Sequence, residues 1–161
     1  LDARQCIAYL TIEHKSSIPE PLRPLIGNRI FGCDDCQLVC PHNRLTQKGD
    51  AEFAPRHGLD TATLLDLFAW SPEEFDRCTA GSPIRRLGYE RWMRNLSIAI
   101  GNSTPTEKKI SMLQSKIKKI STMVDEHIEW AINRLRSRLA GEGMANKNLS
   151  GEVAAGKQNP D

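Results

Sequence analysis

The chain has 161 residues, a formal net charge of +2, 39% hydrophobic residues and five cysteines. That length holds one domain or two small ones, the apolar share supports a packed core, and no run approaches the ~20 apolar residues of a membrane-spanning helix. An odd cysteine count without a secretory signal argues against a disulfide framework, and a net charge this small names no partner.

In chain order, Cys6, Ile7, Tyr9 and Leu10 open a short apolar patch with helical spacing. Ser16 and Ser17 precede Ile18-Pro19-Glu20, a helix-start signature, and a short helix is predicted over residues 19–26. Pro24 limits it to one or two turns, and Gly27-Asn28 ends it. This stretch has too little apolar material to fold alone. Gly32 then allows the backbone a close approach just before the cysteines.

Cys33-Asp34-Asp35-Cys36-Gln37-Leu38-Val39-Cys40-Pro41 is the stretch with chemistry in it. Its intervals are the last two of the bacterial iron–sulfur run C-x2-C-x2-C-x3-C-P. Ile30 stands where the first cysteine of that run would be, and Cys6 is the only thiol upstream. In two-cluster ferredoxins the cysteine before proline serves the other cluster. By that rule Cys6, Cys33 and Cys36 share one cluster and Cys40 belongs to a second. Both clusters are then short of ligands, and with Leu1 in place of Met the chain reads as a piece of a longer protein. A single structural zinc is the competing reading, since zinc sites also use C-x2-C pairs, although usually two of them and without the x3-C-P ending. Cys78 is expected to be a plain small side chain.

Residues 43–57 are polar and turn-forming, with Gln47-Lys48-Gly49-Asp50 at their centre. Asp60 is a candidate cap for a helix to residue 68, and Ser71-Pro72-Glu73-Glu74 a sharper one for the next. Gly81-Ser82-Pro83 begins a further helix, with Ile84, Leu87, Trp92, Leu96 and Ile100 apolar. Arg85, Arg86, Arg91 and Arg94 lie between them at spacings that suit phosphate recognition; the plain alternative is a solvated face with Glu90 as intrahelical partner. Gly101-Asn102 is expected to end this helix, and Thr104 or Thr106 to start another with Ile110, Leu113, Ile117 and Ile120 as its stripe. Ser121-Thr122 breaks that one, and a partner helix is predicted over residues 124–139 with Ile128, Ala131, Ile132, Leu135 and Leu139 inward. The pair reads as a helical hairpin of the HEAT-like kind. His127 is expected on the surface or in packing. Residues 141–161, rich in Gly, Asn and Lys, read as a disordered tail.

Several of these segments together resemble one family. Leu1-Asp2-Ala3-Arg4-Gln5-Cys6, Gly27-Asn28-Arg29-Ile30-Phe31-Gly32, the cysteine stretch, Pro55-Arg56-His57-Gly58-Leu59, Gly81-Ser82-Pro83-Ile84-Arg85-Arg86 and Tyr89-Glu90-Arg91-Trp92-Met93-Arg94-Asn95 are similar to epoxyqueuosine reductases. The resemblance covers about residues 1–102, and Glu126-His127-Ile128-Glu129-Trp130-Ala131 echoes the family's terminal helices. It implies a mainly α chain: the second half of a ferredoxin-like module with two [4Fe–4S] clusters over 1–58, a HEAT-like helical domain over 59–140 and the tail. It implies an oxidoreductase that reduces epoxyqueuosine to queuosine in the tRNA anticodon loop, with clusters passing electrons to cobalamin. Cys6, Cys33 and Cys36 on one cluster and Cys40 on the other agree with the family pattern, and Arg85, Arg86, Arg91 and Arg94 become the expected tRNA-binding residues. The family's cobalamin-binding domain, upstream cysteine run and general acid have no counterpart here, so no catalytic residue is assigned and the chain alone is expected to be inactive. The remaining expectations are an external electron donor, a monomer, a cytoplasmic location and no membrane. Outside the family, an electron-transfer ferredoxin or a zinc-stabilised RNA-binding module are the alternatives.

Overall fold

Several helix starts in this chain follow side chains that satisfy free backbone N–H groups. The computed structural model describes residues 2–45, 49 and 54–154, and among these every regular element is helical, with no strand. The first turns are short: 3-10 turns at Ala3–Gln5 and Glu20–Leu22, a π-helical turn at Tyr9–Glu13, then α1 (Arg23–Ile26) and α2 (Asp35–Leu38). The helix predicted from sequence over 19–26 is thus a 3-10 turn continued by one α turn, as Pro24 requires.

The longer helices follow. In α3 (Leu64–Ala69) Thr63 is the cap, in a reciprocal capping box with Asp66; Asp60 lies upstream in the turns and caps nothing. Ser71 caps α4 (Pro72–Cys78) in the expected box with Glu74. Ser82 begins a 3-10 turn, Pro83–Leu87, before α5 (Gly88–Asn102). Thr106, not Thr104, caps α6 (Glu107–Gln114). That helix stops before Ile117 and Ile120, which pack from the following turns as partly buried side chains. Ser121 meets a free N–H in the first turn of α7 (Thr122–Ala154) through its hydroxyl, which accepts from Val124 N at 3.3 Å.

The disordered tail expected from residue 141 is corrected as far as Ala154, where α7 continues. Once packing has nucleated a helix, each glycine costs only about 1 kcal/mol, so composition alone does not stop it. Residues 155–161 lie outside the described residues, as does the turn expected at 47–50 except for Gly49.

Helix α5 is the centre of the molecule. From Trp92 to Gly101 every residue is buried. Trp92, Met93, Leu96 and Ile100 join Phe68, Phe75, Leu113, Val124, Ile128 and Leu135 in the main core. Trp92 stacks on Trp70 at 5.7 Å and meets Phe75 at 5.6 Å, so aromatic contacts tie α3 and α4 to it. On its other side Ile98 joins Leu10, Ile18 and Ile26 in a smaller core beneath the N-terminal turns. Against α7 the approach is close enough to need a glycine: a Cβ on Gly101 would come within 2.8 Å of the Trp130 ring and 2.9 Å of Ala131 Cα. Gly101 therefore serves the crossing of two helices, and α5 ends with the next residue, Asn102, where the sequence placed its end.

His127 is fully buried. Its Nε2 accepts from the Ile18 N–H at 3.2 Å and its Nδ1 faces the Met123 carbonyl at 2.7 Å, which fixes the neutral Nδ1–H tautomer. Burial, with help from the Arg23 charge, pushes its pKa down to about 4. The unfolded chain binds this proton below about 6.5 and the folded chain only below about 4, so stability should fall as pH drops through that window, by up to roughly 3 kcal/mol. Urea midpoints of wild type and His127→Gln between pH 7.5 and 4.5 check this: the wild type should lose stability more steeply than the variant.

Candidate metal centre

The cysteine-bearing segments have little regular structure, so their backbone carbonyls need donors from elsewhere. Helix α5 supplies them. Arg94 is 0% exposed and donates to the carbonyls of Leu10 at 2.9 Å, His14 at 2.8 Å and Ser16 at 2.7 Å, and to the Asn95 side chain at 3.0 Å. Asn95 Nδ2 bridges the carbonyls of Thr11 and Ile30, both at 2.8 Å. Arg91 donates to the carbonyls of Leu87, Ile12 and Arg86 at 2.7 to 2.8 Å. Thr11 completes the clamp, its hydroxyl accepting from the Gly32 N–H at 3.0 Å. The turn that follows Cys6 and the loop that carries Cys33 are thereby held against one helix and against each other.

The local shapes follow. Cys6 ends the first 3-10 turn, and its carbonyl accepts from Leu10 N at 2.9 Å. Between Tyr9 and Glu13 the helix is a π turn, closed by His14 N to Tyr9 O at 2.9 Å; such one-residue insertions are frequent at functional sites. Gly32 has φ +69°, and a Cβ there would meet only Ile12 Cδ1 at 3.8 Å, so the glycine answers a backbone conformation and not crowding. Asp34 also has positive φ, 54°, and begins α2, which carries Cys36. Arg29 holds both oxygens of Asp35 at 2.7 and 2.8 Å, and its pKa is raised chiefly by that carboxylate.

Cys6, Cys33 and Cys40 are partly exposed, Cys36 is exposed, and all are free thiols. Among the described residues no three His, Cys, Asp or Glu side chains converge as ligands of one metal ion. That is compatible with a cubane, whose thiolates each bind a different iron and so lie further apart than ligands of one ion. Four accessible thiols on tight turns fit iron–sulfur ligation as a donor set. Between Cys36 and Cys40, Leu38 and Val39 are each 79% exposed, an apolar pair with nothing over it among the described residues.

The structure corrects half of the basic face read from sequence. Arg91 and Arg94 point inward and spend their N–H groups on backbone carbonyls. Arg85 and Arg86 are exposed, in surface ion pairs with Asp76 at 3.8 Å and Glu13 at 2.9 Å. Sequence reasoning assigned no part to Thr11, Asn95 or His127 in holding this region. Two further stretches that carried the resemblance, Pro55-Arg56-His57 and Gly81-Ser82-Pro83, face one another across a cleft of about 410 Å³, with buried Cys78 in its lining.

Comparison with known proteins bears on both regions. Residues 1–43 match the 4Fe-4S double cluster binding domain family. A curated epoxyqueuosine reductase of Pseudomonas aeruginosa is 56% identical over 135 residues, 83% of this chain and 37% of that protein. By sequence and by fold, the chain belongs with the epoxyqueuosine reductases. A crystal structure of selenomethionine-labelled epoxyqueuosine reductase superposes with a TM-score of 0.74 at 30% identity, covering 84% of this chain and 36% of that one. Another, of epoxyqueuosine reductase with an epoxyqueuosine-modified tRNA-Tyr stem loop, gives 0.74 at 27% identity over 99% of this chain and 41% of that one. The chain thus spans little more than a third of the length of the curated relative.

The clamp yields one expectation about this site. Asn95→Ala leaves the Thr11 and Ile30 carbonyls and the Arg94 Nε without partners, which should cost about 2–3 kcal/mol. Urea unfolding reads the loss, and alkylation of Cys33 in the metal-free chain should quicken while that of Cys78 does not.

Proposed function

We propose that this chain is the part of an epoxyqueuosine reductase that carries ligands for two [4Fe–4S] clusters and presents a basic surface to tRNA. The observation that carries the reading is the set of free cysteines, in iron–sulfur spacing, on turns clamped to a buried helix. It is supported by the double-cluster family match over residues 1–43 and by identity above 50% with curated reductases. Two cubanes present twice as many iron positions as there are thiols in residues 1–43, so the remaining ligands come from polypeptide beyond these. Clusters, when bound, supply one-electron transfer, here toward cobalamin held elsewhere in the whole protein. In this reading Cys6, Cys33 and Cys36 serve one cluster and Cys40 the other. The helical part from residue 59 is HEAT-like, and the whole protein is a cytoplasmic monomer served by an external electron donor.

The tRNA face reduces to Arg85 and Arg86, the two arginines of the four that are exposed and whose guanidinium groups are not spent on backbone carbonyls. Their ion pairs are exposed on both sides and contribute little, so phosphates can compete for them. The relative solved with a modified tRNA stem loop favours RNA as the partner.

Iron and acid-labile sulfide in the full-length protein, purified without oxygen, test the cluster reading: stoichiometric iron is expected, and a colourless, iron-free protein that binds zinc instead overturns it. For the surface, Arg85→Glu with Arg86→Glu should weaken binding of a tRNA stem loop on the order of ten-fold at low salt and flatten its salt dependence, while leaving stability nearly unchanged. Unchanged affinity would assign these arginines to plain solvation.

A further inference from the structure

Arg94 brings a full charge into a place where charge is costly. It is 0% exposed, and none of the ion pairs among the described residues includes it. Burial draws its pKa down to about 10, which leaves it charged at neutral pH. Three carbonyls and the Asn95 side chain surround the guanidinium. Their dipoles solvate a cation without neutralising it. Arg91 adds a second positive charge close by, and the acid that offsets it, Glu90, is exposed and acts more weakly than either burial or Arg91. A buried cation without a counter-ion is destabilising, and removing or pairing it is the usual outcome.

What surrounds this charge is informative. The Leu10 carbonyl it grips belongs to the residue whose N–H bonds to Cys6 O. Its neighbour Asn95 holds Ile30, three residues before Cys33, and Thr11, whose hydroxyl receives the Gly32 N–H. The guanidinium therefore sits between the turn that follows Cys6 and, through Asn95, the loop that leads to Cys33. Thiolate ligands make an iron–sulfur cluster a centre of negative charge, and its potential responds to the charge and burial around it.

We propose that Arg94, reinforced by Arg91, is the fixed counter-charge of the cluster held by Cys6, Cys33 and Cys36, and that it raises that cluster's reduction potential. The inference rests on the cluster reading above. Reduction adds one electron to the cluster, from the external donor, with no bond made or broken. A cation fixed in a low-dielectric setting stabilises the more negative, reduced state. Arg94 is thus a positioning and tuning residue, acting on the cluster through its field and through the turn it holds.

The test uses the full-length, cluster-loaded protein and reads midpoint potentials by EPR-monitored redox titration beside iron content. Arg94→Gln, with iron retained, should move the potential of one cluster to more negative values. Arg94→Lys should stay near wild type, and Arg91→Gln should shift in the same direction as Arg94→Gln but less. Full iron with an unchanged potential in Arg94→Gln would make Arg94 only a staple and overturn the proposal. A shift in Arg94→Lys as large as in Arg94→Gln would assign the effect to geometry instead of charge and also overturn it. Should Arg94→Gln fail to hold iron, the half-buried Arg91 decides: a more negative potential in Arg91→Gln, with Arg94→Lys near wild type, supports the counter-charge, and an unmoved potential overturns it. A wild-type protein without iron would instead remove the cluster reading on which this rests.

Discussion

Backbone carbonyls in the first third of the chain have few amide partners of their own, and the side chains of α5 stand in for them. Buried peptide groups must be paired, and a segment of short turns cannot pair them internally as a long helix or sheet does. Arg91, Arg94 and Asn95 between them satisfy carbonyls at Leu10, Thr11, Ile12, His14, Ser16 and Ile30. Two turns further on, Asn102 does the same for Arg23 and Gly27. The N-terminal region is therefore folded onto a polar template, with only a small apolar core of Leu10, Ile18, Ile26 and Ile98 beneath it. This arrangement sets the cysteines' positions without a strand.

The second anchor is α7. Arg23 donates to the Ile18 carbonyl and pairs with Glu126, and its guanidinium lies 5.8 Å from the centre of the Trp130 ring. Glu126 also accepts from Ser17, which helps hold its carboxyl below the usual range. With His127 on Ile18, three neighbouring residues of α7 reach the same short stretch. The close crossing at Gly101 lets them do so while α5 holds the other side. Removing any one contact thus loosens a segment gripped from two helices.

What the sequence made legible were the local rules. The Ser71 cap, the limit of one or two turns set by Pro24, the choice of Thr104 or Thr106 as a cap and the cysteine intervals each depend on residues a few positions apart. The cap of α3 was legible too, since Thr63 and Asp66 stand in capping-box spacing, but Asp60 competes for the same role on residue type alone. Arg91 and Arg94 misled for a deeper reason. Their i, i+3 spacing looks the same on a wet helix face as on a buried one, and the apolar stripe through Leu87, Trp92, Leu96 and Ile100 defines only one of two covered sides. Ile98 and Asn95 mark the second side, and nothing local distinguishes it. His127 shares that difficulty, its partner Ile18 lying 109 residues away.

The π turn at Tyr9–Glu13 has a consequence for how this region can vary. A π turn holds one residue more than an α turn over the same rise, so its surplus residue sets the rotational phase of everything before it. Trimming a single position there would let the turn relax to ordinary α geometry and swing Cys6 about the helix axis by roughly 100°. The carbonyls that α5 grips would leave their donors in the same movement. Side chains in this stretch can be exchanged one for one, but its length is fixed: the spacing between the first thiol and the clamp is a ruler that tolerates no deletion.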